Sequence, residues 1–262
     1  MAEIICNIAR PKSTEPVPVW QERFPIRFGA IDRSDRLTLN AIFQYFQEAA
    51  ISHAENLGVG REDMTRTGQI WILSRMSVQV NRRPKYCETI TVSSWPRGAE
   101  KLFVLRDYEI RDSEGNPAVQ ARSGWIVIDL EKRRPLRPNA VIEIMPQNEG
   151  RDALTSGPVG LAVRDNLLKI GERKALYADV DYNGHVNNTR YIQWLEDALN
   201  SDVLEKADRM RFDINYLSEI RPNDITEIWS AEFEDEGKPA YAFEGKNVTS
   251  GQIAFRAELR LF

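Results

Sequence analysis

From Leu39 the apolar residues fall in steps of three and four: Leu39, Ile42, Phe43, Phe46, Ala49 and then His53. That period places them on one face and predicts a long amphipathic helix. It returns at Tyr191, Trp194, Leu195 and Ala198, which predicts a second helix. Asn187 or Asn188 is its natural N-cap, because a side-chain oxygen there accepts an otherwise unpaired backbone N–H. Around the helices the pattern shifts to alternation, the mark of half-buried strands. One strand is predicted at residues 24–28, ahead of the first helix. Four follow it, at 71–80, 89–95, 103–111 and 119–130. The second half repeats the order: a strand at 173–178, the helix, then strands at 210–216, 225–233, 240–247 and 253–262. The last alternates cleanly, with Ile253, Phe255, Ala257, Leu259 and Leu261 on one face and Arg256, Glu258 and Arg260 on the other.

The two halves are copies. Asp32 and Asp181 stand 149 positions apart, and the same offset pairs Gln44 with Gln193, Tyr45 with Trp194, Glu48 with Asp197 and Ala49 with Ala198. A repeat of this length makes each copy one structural unit. One long helix against an antiparallel sheet is an α+β layer pair. Two such units in tandem can pair their sheets edge to edge, a covalent version of a two-fold dimer. Between them the periodicity dissolves into prolines, glycines and a basic run. The expected organisation is a first unit over 1–137, a linker over 138–170 and a second unit over 171–262.

The copies differ where chemistry would sit. The second has Asn183 and His185 where the first has Ser34 and Arg36, although both keep the aspartate. A carboxylate, an amide and an imidazole gathered at a positively polarised helix start suit a negative charge developing on a carbonyl oxygen. A turn and cap alone would account for the Asn-Gly and Asn-Asn pairs, but not for the divergence between copies. The second copy is therefore expected to do the chemistry and the first to pack and shape a substrate pocket. Arg36 reads as one partner of a structural ion pair, and His53 as a packed core histidine with a hydrogen bond.

The run from Asp181 to Trp194, Asp-Tyr-Asn-Gly-His-Val-Asn-Asn-x-x-Tyr-x-x-Trp, resembles the Asp-x-Asn-x-His-Val-Asn-Asn signature of the acyl-acyl carrier protein thioesterases of plants and bacteria. Trp71-Ile-Leu-Ser-Arg-Met76 and Asn81-Arg-x-Pro84 resemble that family's first-domain segments, so the resemblance runs from about Val19 to Phe262. It implies a double hot-dog fold, in which each sheet wraps a long helix. It implies hydrolysis of acyl-acyl carrier protein, releasing free fatty acid and ending fatty acid synthesis. The family's catalytic positions carry over onto Asp181, Asn183, His185 and Glu219; read from the residues alone, Glu219 is a solvated charge at a strand end. Ile220 stands where the family often has a cysteine, which removes a cysteine nucleophile from that position. Asp181 and Glu219 both remain candidates for the base that activates water or for the attacking group. Three other readings share the fold or its ligand: an acyl-coenzyme A thioesterase, a hydratase and a non-catalytic acyl-binding sensor.

Composition narrows the partners. A net charge of −4 over 262 residues argues against a general nucleic-acid binder. Cys6 and Cys87 form neither a metal pattern nor a disulfide framework, which fits a reducing cytoplasm, and Cys87 reads as a buried structural thiol. No metal or organic cofactor is expected. Residues 1–18 lack a signal-peptide core and read as a loose lead-in, and no apolar run approaches the roughly 20 residues of a membrane span. Acyl carrier protein is acidic, so its docking surface should be basic. Three clusters qualify: Arg82, Arg83 and Lys85; Lys132, Arg133, Arg134 and Arg137; Lys169, Arg173 and Lys174. The acyl chain is expected against the first helix and the Trp71 strand. Monomer and homodimer are both compatible with a fused pair of units.

Overall fold

The structure, a computed structural model, describes residues 15–262. Cys6 and most of the 1–18 lead-in lie outside the described residues. Where the lead-in ends, it is tied down: Val17 N–H donates to Asn56 Oδ1 at 2.9 Å, and the Val17 carbonyl accepts from His53.

The first half runs β1 (Trp20–Pro25), α1 (Leu39–Asn56), α2 (Arg61–Arg66), β2 (Gln69–Val80), β3 (Thr89–Glu100), β4 (Phe103–Arg111), β5 (Pro117–Asp129) and the two-residue β6 (Arg134–Pro135). A short helix, α3 (Asn139–Ile142), opens the connection. The second half runs β7 (Leu168–Lys174), α4 (Asn188–Ala198), α5 (Ser201–Lys206), β8 (Met210–Tyr216), β9 (Ile225–Asp235), β10 (Lys238–Asn247) and β11 (Gln252–Leu261). The first strand of each half lies earlier than the sequence pattern suggested. The ladder of β1 on β3 ends at Pro25, and the apolar residues read as strand, Phe28 and Tyr177, instead sit on short 3-10 turns and are exposed.

All the strands form one antiparallel sheet in the order β1-β3-β4-β5-β2-β8-β11-β10-β9-β7, with β6 beside β5. The order is a palindrome of equivalent strands about the β2–β8 seam. The register there proves a two-fold: Arg75 faces Asn215 while Gln79 faces Arg211, Met76 faces Ile214 while Val78 faces Phe212, and Ser77 faces Asp213 on the axis. Each half wraps its long helix, giving the double hot-dog architecture.

The repeat extends to single hydrogen bonds. Leu37 N–H donates to Pro84 O, as Val186 N–H does to Ile220 O. Thr38 N–H donates to Ala30 O, as Asn187 N–H does to Asp179 O. After β2 and β8 the equivalence runs at an offset of 136, so Arg83 is the counterpart of Glu219. Cys87 is the counterpart of Asn223, and both have left-handed backbones, at φ 64° and 69°. That turn leaves Cys87 exposed, so the expectation of a buried thiol is corrected: the turn, not the core, sets its environment.

The helix-facing side of the sheet holds the main core, with Phe43, Phe46, Tyr108, Phe212 and Phe255 among its large buried side chains. Gly245 is required there, because a Cβ at that position would meet the Phe255 ring at 2.0 Å. The opposite side is buried too, but with polar residues. Residues 148–164 cross it as a strap. Ala153 N–H donates to Asp107 Oδ2 at 2.8 Å, Leu161 N–H to Asn215 Oδ1 at 2.8 Å, and Arg164 pairs with Glu258. Arg122 binds both Asp107 and Asp152 at 2.6 Å. This second covered face explains why β4 is buried along nearly all its length and why alternation was imperfect.

Candidate functional site

The second half builds a tight loop before α4. Val180 bridges Val186, Asp181 N–H donates to His185 O at 3.0 Å, and Gly184 N–H donates back to Asp181 O at 3.0 Å. Gly184 has φ +80°, a conformation in which a side chain would be strained. Asp181 braces this loop with both oxygens: Oδ1 accepts Asn183 N–H at 2.8 Å, and Oδ2 accepts the Asn187 amide at 3.3 Å. Asn187 is the N-cap of α4, its Oδ1 accepting from Thr189 N–H at 3.0 Å.

The Val186–Ile220 backbone bond docks this loop on the segment after β8. His185 Nε2 thereby lies 3.0 Å from Glu219 Oε2, with His185 half-buried and Glu219 exposed. Asn183 is exposed on the same loop as His185. His185 and Glu219 are therefore in contact, and the loop that carries His185 and Asn183 is braced by Asp181. Ile220, in the position of the family's cysteine, is fully buried.

Three contributors were not legible as site residues. Tyr191 lies beneath the site; burial above all, and then the Glu219 and Asp181 carboxylates, push its hydroxyl well above the usual range, so it stays protonated. Tyr216 Oη donates to the Asn188 carbonyl at 3.2 Å and props the first turn of α4. Arg61, the first residue of α2, lays its guanidinium 3.8 Å over the exposed Tyr182 ring, so the first half reaches the mouth of the site. The sequence pattern put Tyr191 on a helix face and Tyr216 at a strand end and gave no reading of Arg61; only the fold brings them together.

In the first half the same scaffold carries different groups. Asp32 Oδ1 accepts Ser34 N–H at 2.9 Å, as Asp181 does from Asn183. The Glu219 position is filled by Arg83, which is buried, ion-pairs with Asp32 and donates to Leu37 O at 2.8 Å and Leu204 O at 2.9 Å. Burial alone would raise Asp32, but Ser34 and Arg83 hold it below the usual carboxylate range. Arg36 pairs with Asp208 at 3.5 Å, as its structural reading required. A cleft of about 310 Å³ remains beside this counterpart site, lined in part by Asp32, Leu39, Arg83, Glu196 and Glu205.

His53 is a core histidine. It is fully buried, stacks on Trp20, and bonds to the Val17 carbonyl and to Arg106 at 2.8 and 3.0 Å. Burial first, then the Arg106 charge, lowers it to about 4, so it is neutral near pH 7.

Residues 18–143 match the family model of the acyl-ACP thioesterase N-terminal domain, and residues 166–260 match the model of the C-terminal domain. A palmitoyl-acyl carrier protein thioesterase of Cuphea hookeriana is 27% identical over 231 residues, covering 81% of this chain and 54% of the relative. An oleoyl-acyl carrier protein thioesterase of Arabidopsis thaliana is 22% identical over 228 residues, covering 79% of this chain and 61% of that protein. Both are chloroplastic by name, and the chain spans only about half to three-fifths of their length. Among solved structures, an acyl-ACP thioesterase from Bacteroides thetaiotaomicron superposes with a TM-score of 0.80 at 23% identity, over 94% of this chain and 98% of that one. The 12:0-ACP thioesterase from Umbellularia californica gives 0.79 at 18% identity, over 93% and 94%. At these identities the likeness establishes the fold.

Proposed function

The chain belongs to the acyl-ACP thioesterase family, and from that premise we propose that it hydrolyses the thioester of acyl-acyl carrier protein, releasing free fatty acid, at the site before α4. The observation that carries this reading is the His185–Glu219 contact of 3.0 Å. The first half keeps the braced aspartate and replaces both members of that pair with arginines.

The division of labour follows from what is already engaged. Asp181 has both oxygens committed to the loop, and Asp32 braces its own loop without a neighbouring histidine; Asp181 is therefore the positioning carboxylate. Glu219 has an open oxygen and a histidine partner, so the pair serves as the base. It takes a proton from water as the water oxygen bonds to the thioester carbon. The carbonyl electrons move to oxygen, which meets the Asn188 N–H at the start of α4. When the C–S bond breaks, the proton passes to the departing thiolate, leaving acid and carrier thiol. Loss of one donor to such an oxygen costs about 100- to 1000-fold in rate, and general acid–base help contributes about 100- to 10,000-fold. Asn183 is placed to hold the thioester or the water in line.

The acyl chain is assigned to the first half, against α1 and the Trp71 strand, which Arg61 joins to the site mouth. For the carrier protein, Arg133, Arg134 and Arg137 are favoured, with Lys132 beside them held by Asp129 at 3.6 Å. Arg83 is withdrawn from the docking clusters, because it is only 4% exposed and is bound to Asp32. Arg82 is held by Glu88, Lys169 by Glu172 and Glu227, and Arg173 by Asp197. Arg133, Arg134 and Arg137 are exposed and have no ion-pair partner among the described residues. Among the described residues, no helix is long and apolar enough to cross a membrane.

The test compares equivalent positions. His185→Ala should lower kcat for thiol release by at least about 100-fold, while Arg36→Ala should leave it close to wild type. Equal losses in the two variants would contradict chemistry centred on the second half's loop.

A further inference from the structure

The two-fold relates each contact across the halves to a second one, and one such pair is deliberately unequal. Glu196, on α4, reaches over to the start of α1. Its carboxylate accepts Leu39 N–H at 2.7 Å and Asn40 N–H at 3.2 Å. The first amides of α1 are thus closed by a carboxylate from the other half, beside the cleft of the counterpart site. At the 149 offset the mates of Leu39 and Asn40 are Asn188 and Thr189, at the start of α4. The mate of Glu196 is Gln47 on α1. A second cross-half contact supports this mapping: Arg33 reaches α5 through Glu205, as its mate Tyr182 reaches Arg61 of α2.

The mate of the Glu196 bond is not made. Thr189 N–H is taken by Asn187, and Asn188 N–H has no acceptor among the described residues. A carboxylate at the start of a helix forms charge-assisted bonds, about twice as strong as those of a neutral amide, and does not yield its place easily. A glutamine in the same position offers only a neutral carbonyl oxygen, which a substrate oxygen displaces more readily, and its NH2 group is a donor.

We propose that Gln47 is the first half's contribution to the active cleft. Its carboxamide stands beside the Asn188 N–H, leaves that amide free for the acyl oxygen of the substrate, and donates to the same oxygen as the charge develops. Glu196, at the silent site before α1, marks where that oxygen sits. This assignment rests on the reading of the α4 start as a thioesterase site, and it makes the cleft a composite of both halves.

The test installs the missing carboxylate. In Gln47→Glu the new side chain should close Asn188 N–H as Glu196 closes Leu39. Two readouts separate the possibilities. The first is the Asn188 amide resonance in 15N–1H spectra: it should titrate with pH in Gln47→Glu and stay constant in the wild type. The second is thiol release: kcat/KM at pH 8 should fall at least about 100-fold and recover as the pH is lowered. Gln47→Ala, which adds no charge, should lose about 10-fold or more in kcat with little change in KM. Melting temperatures near wild type show that both variants are folded. An Asn188 amide that does not titrate, or a Gln47→Glu enzyme with wild-type kcat/KM and pH profile, would overturn the assignment. An Asn188 amide that titrates in Gln47→Glu, with a wild type inactive on every thioester, would support the contact and overturn only the thioesterase reading.

Discussion

Glu196→Gln turns the link between the halves into a quantitative test. The Glu196 carboxyl is pushed from its ordinary 4.5 up to about 7, mainly by burial. The N–H groups of Leu39 and Asn40 and the charge of Arg83 oppose that rise, and Asp197 adds to it. Asp32 and Glu205 face the same cleft. A folded-state pKa above the unfolded one means that the folded protein holds the proton more tightly. The stability this confers is complete below about pH 4.5 and is lost as the pH rises through 7. The rise corresponds to about 3 kcal/mol. Wild-type stability alone hides it, because His53 acts with the opposite sign: lowered to about 4, it costs stability as the pH falls from 6.5. The difference between wild type and Glu196→Gln isolates the carboxyl. Glutamine resembles the protonated acid, so urea unfolding should give nearly equal stabilities at pH 4.5 and a variant about 2–3 kcal/mol more stable at pH 8. A difference that does not change with pH would refute the reasoning, and a less stable variant at pH 8 would show that the two N–H bonds outweigh desolvation.

Gly245→Ala drives a Cβ into the Phe255 ring and should cost about 1–3 kcal/mol in urea unfolding or prevent folding; a neutral outcome would mean that the ring moves aside freely. Asp107→Ala removes the fully buried partner of Arg122 and an acceptor for the strap, and should destabilise by about 3–5 kcal/mol, read in the same assay. The His53 ring resonances should not move between pH 8 and 5.5, since its proton is taken up only near pH 4. Reversing Arg133 and Arg134 to glutamate should raise KM for carrier-protein substrates and leave matched coenzyme A esters unaffected; unchanged KM would remove that cluster from the docking surface.

The fold was legible because the repeat was legible. Two helix faces at the same offset, each followed by four alternating stretches, specify two helix-wrapping sheets before any contact is known. Asp181, Asn183 and His185 were legible because one loop carries all three. Glu219 was reached only through the family resemblance, since it is the Val186–Ile220 bond that brings its segment to the loop. Arg83 read as a surface charge because basic residues usually are; its burial depends on Asp32 and on the Leu204 carbonyl from the far half. The polar outer face of the sheet was invisible for a similar reason. Asp107, Asp213 and Glu258 look like solvent-facing residues until the 148–164 strap covers them. Glu196 carries no sequence signal of its capping role, because the helix it caps lies about 150 residues earlier. The two-fold, once seen in the β2–β8 register, supplies what local patterns could not.

The most direct test is thiol release from a series of acyl-acyl carrier proteins and matched acyl-coenzyme A esters, with wild type and Glu219→Gln. The account predicts release from the carrier-protein esters, with kcat at least about 100-fold lower in the variant and its fold intact. Undiminished release by Glu219→Gln would contradict the assigned base, and no release from any ester by the wild type would contradict the thioesterase itself.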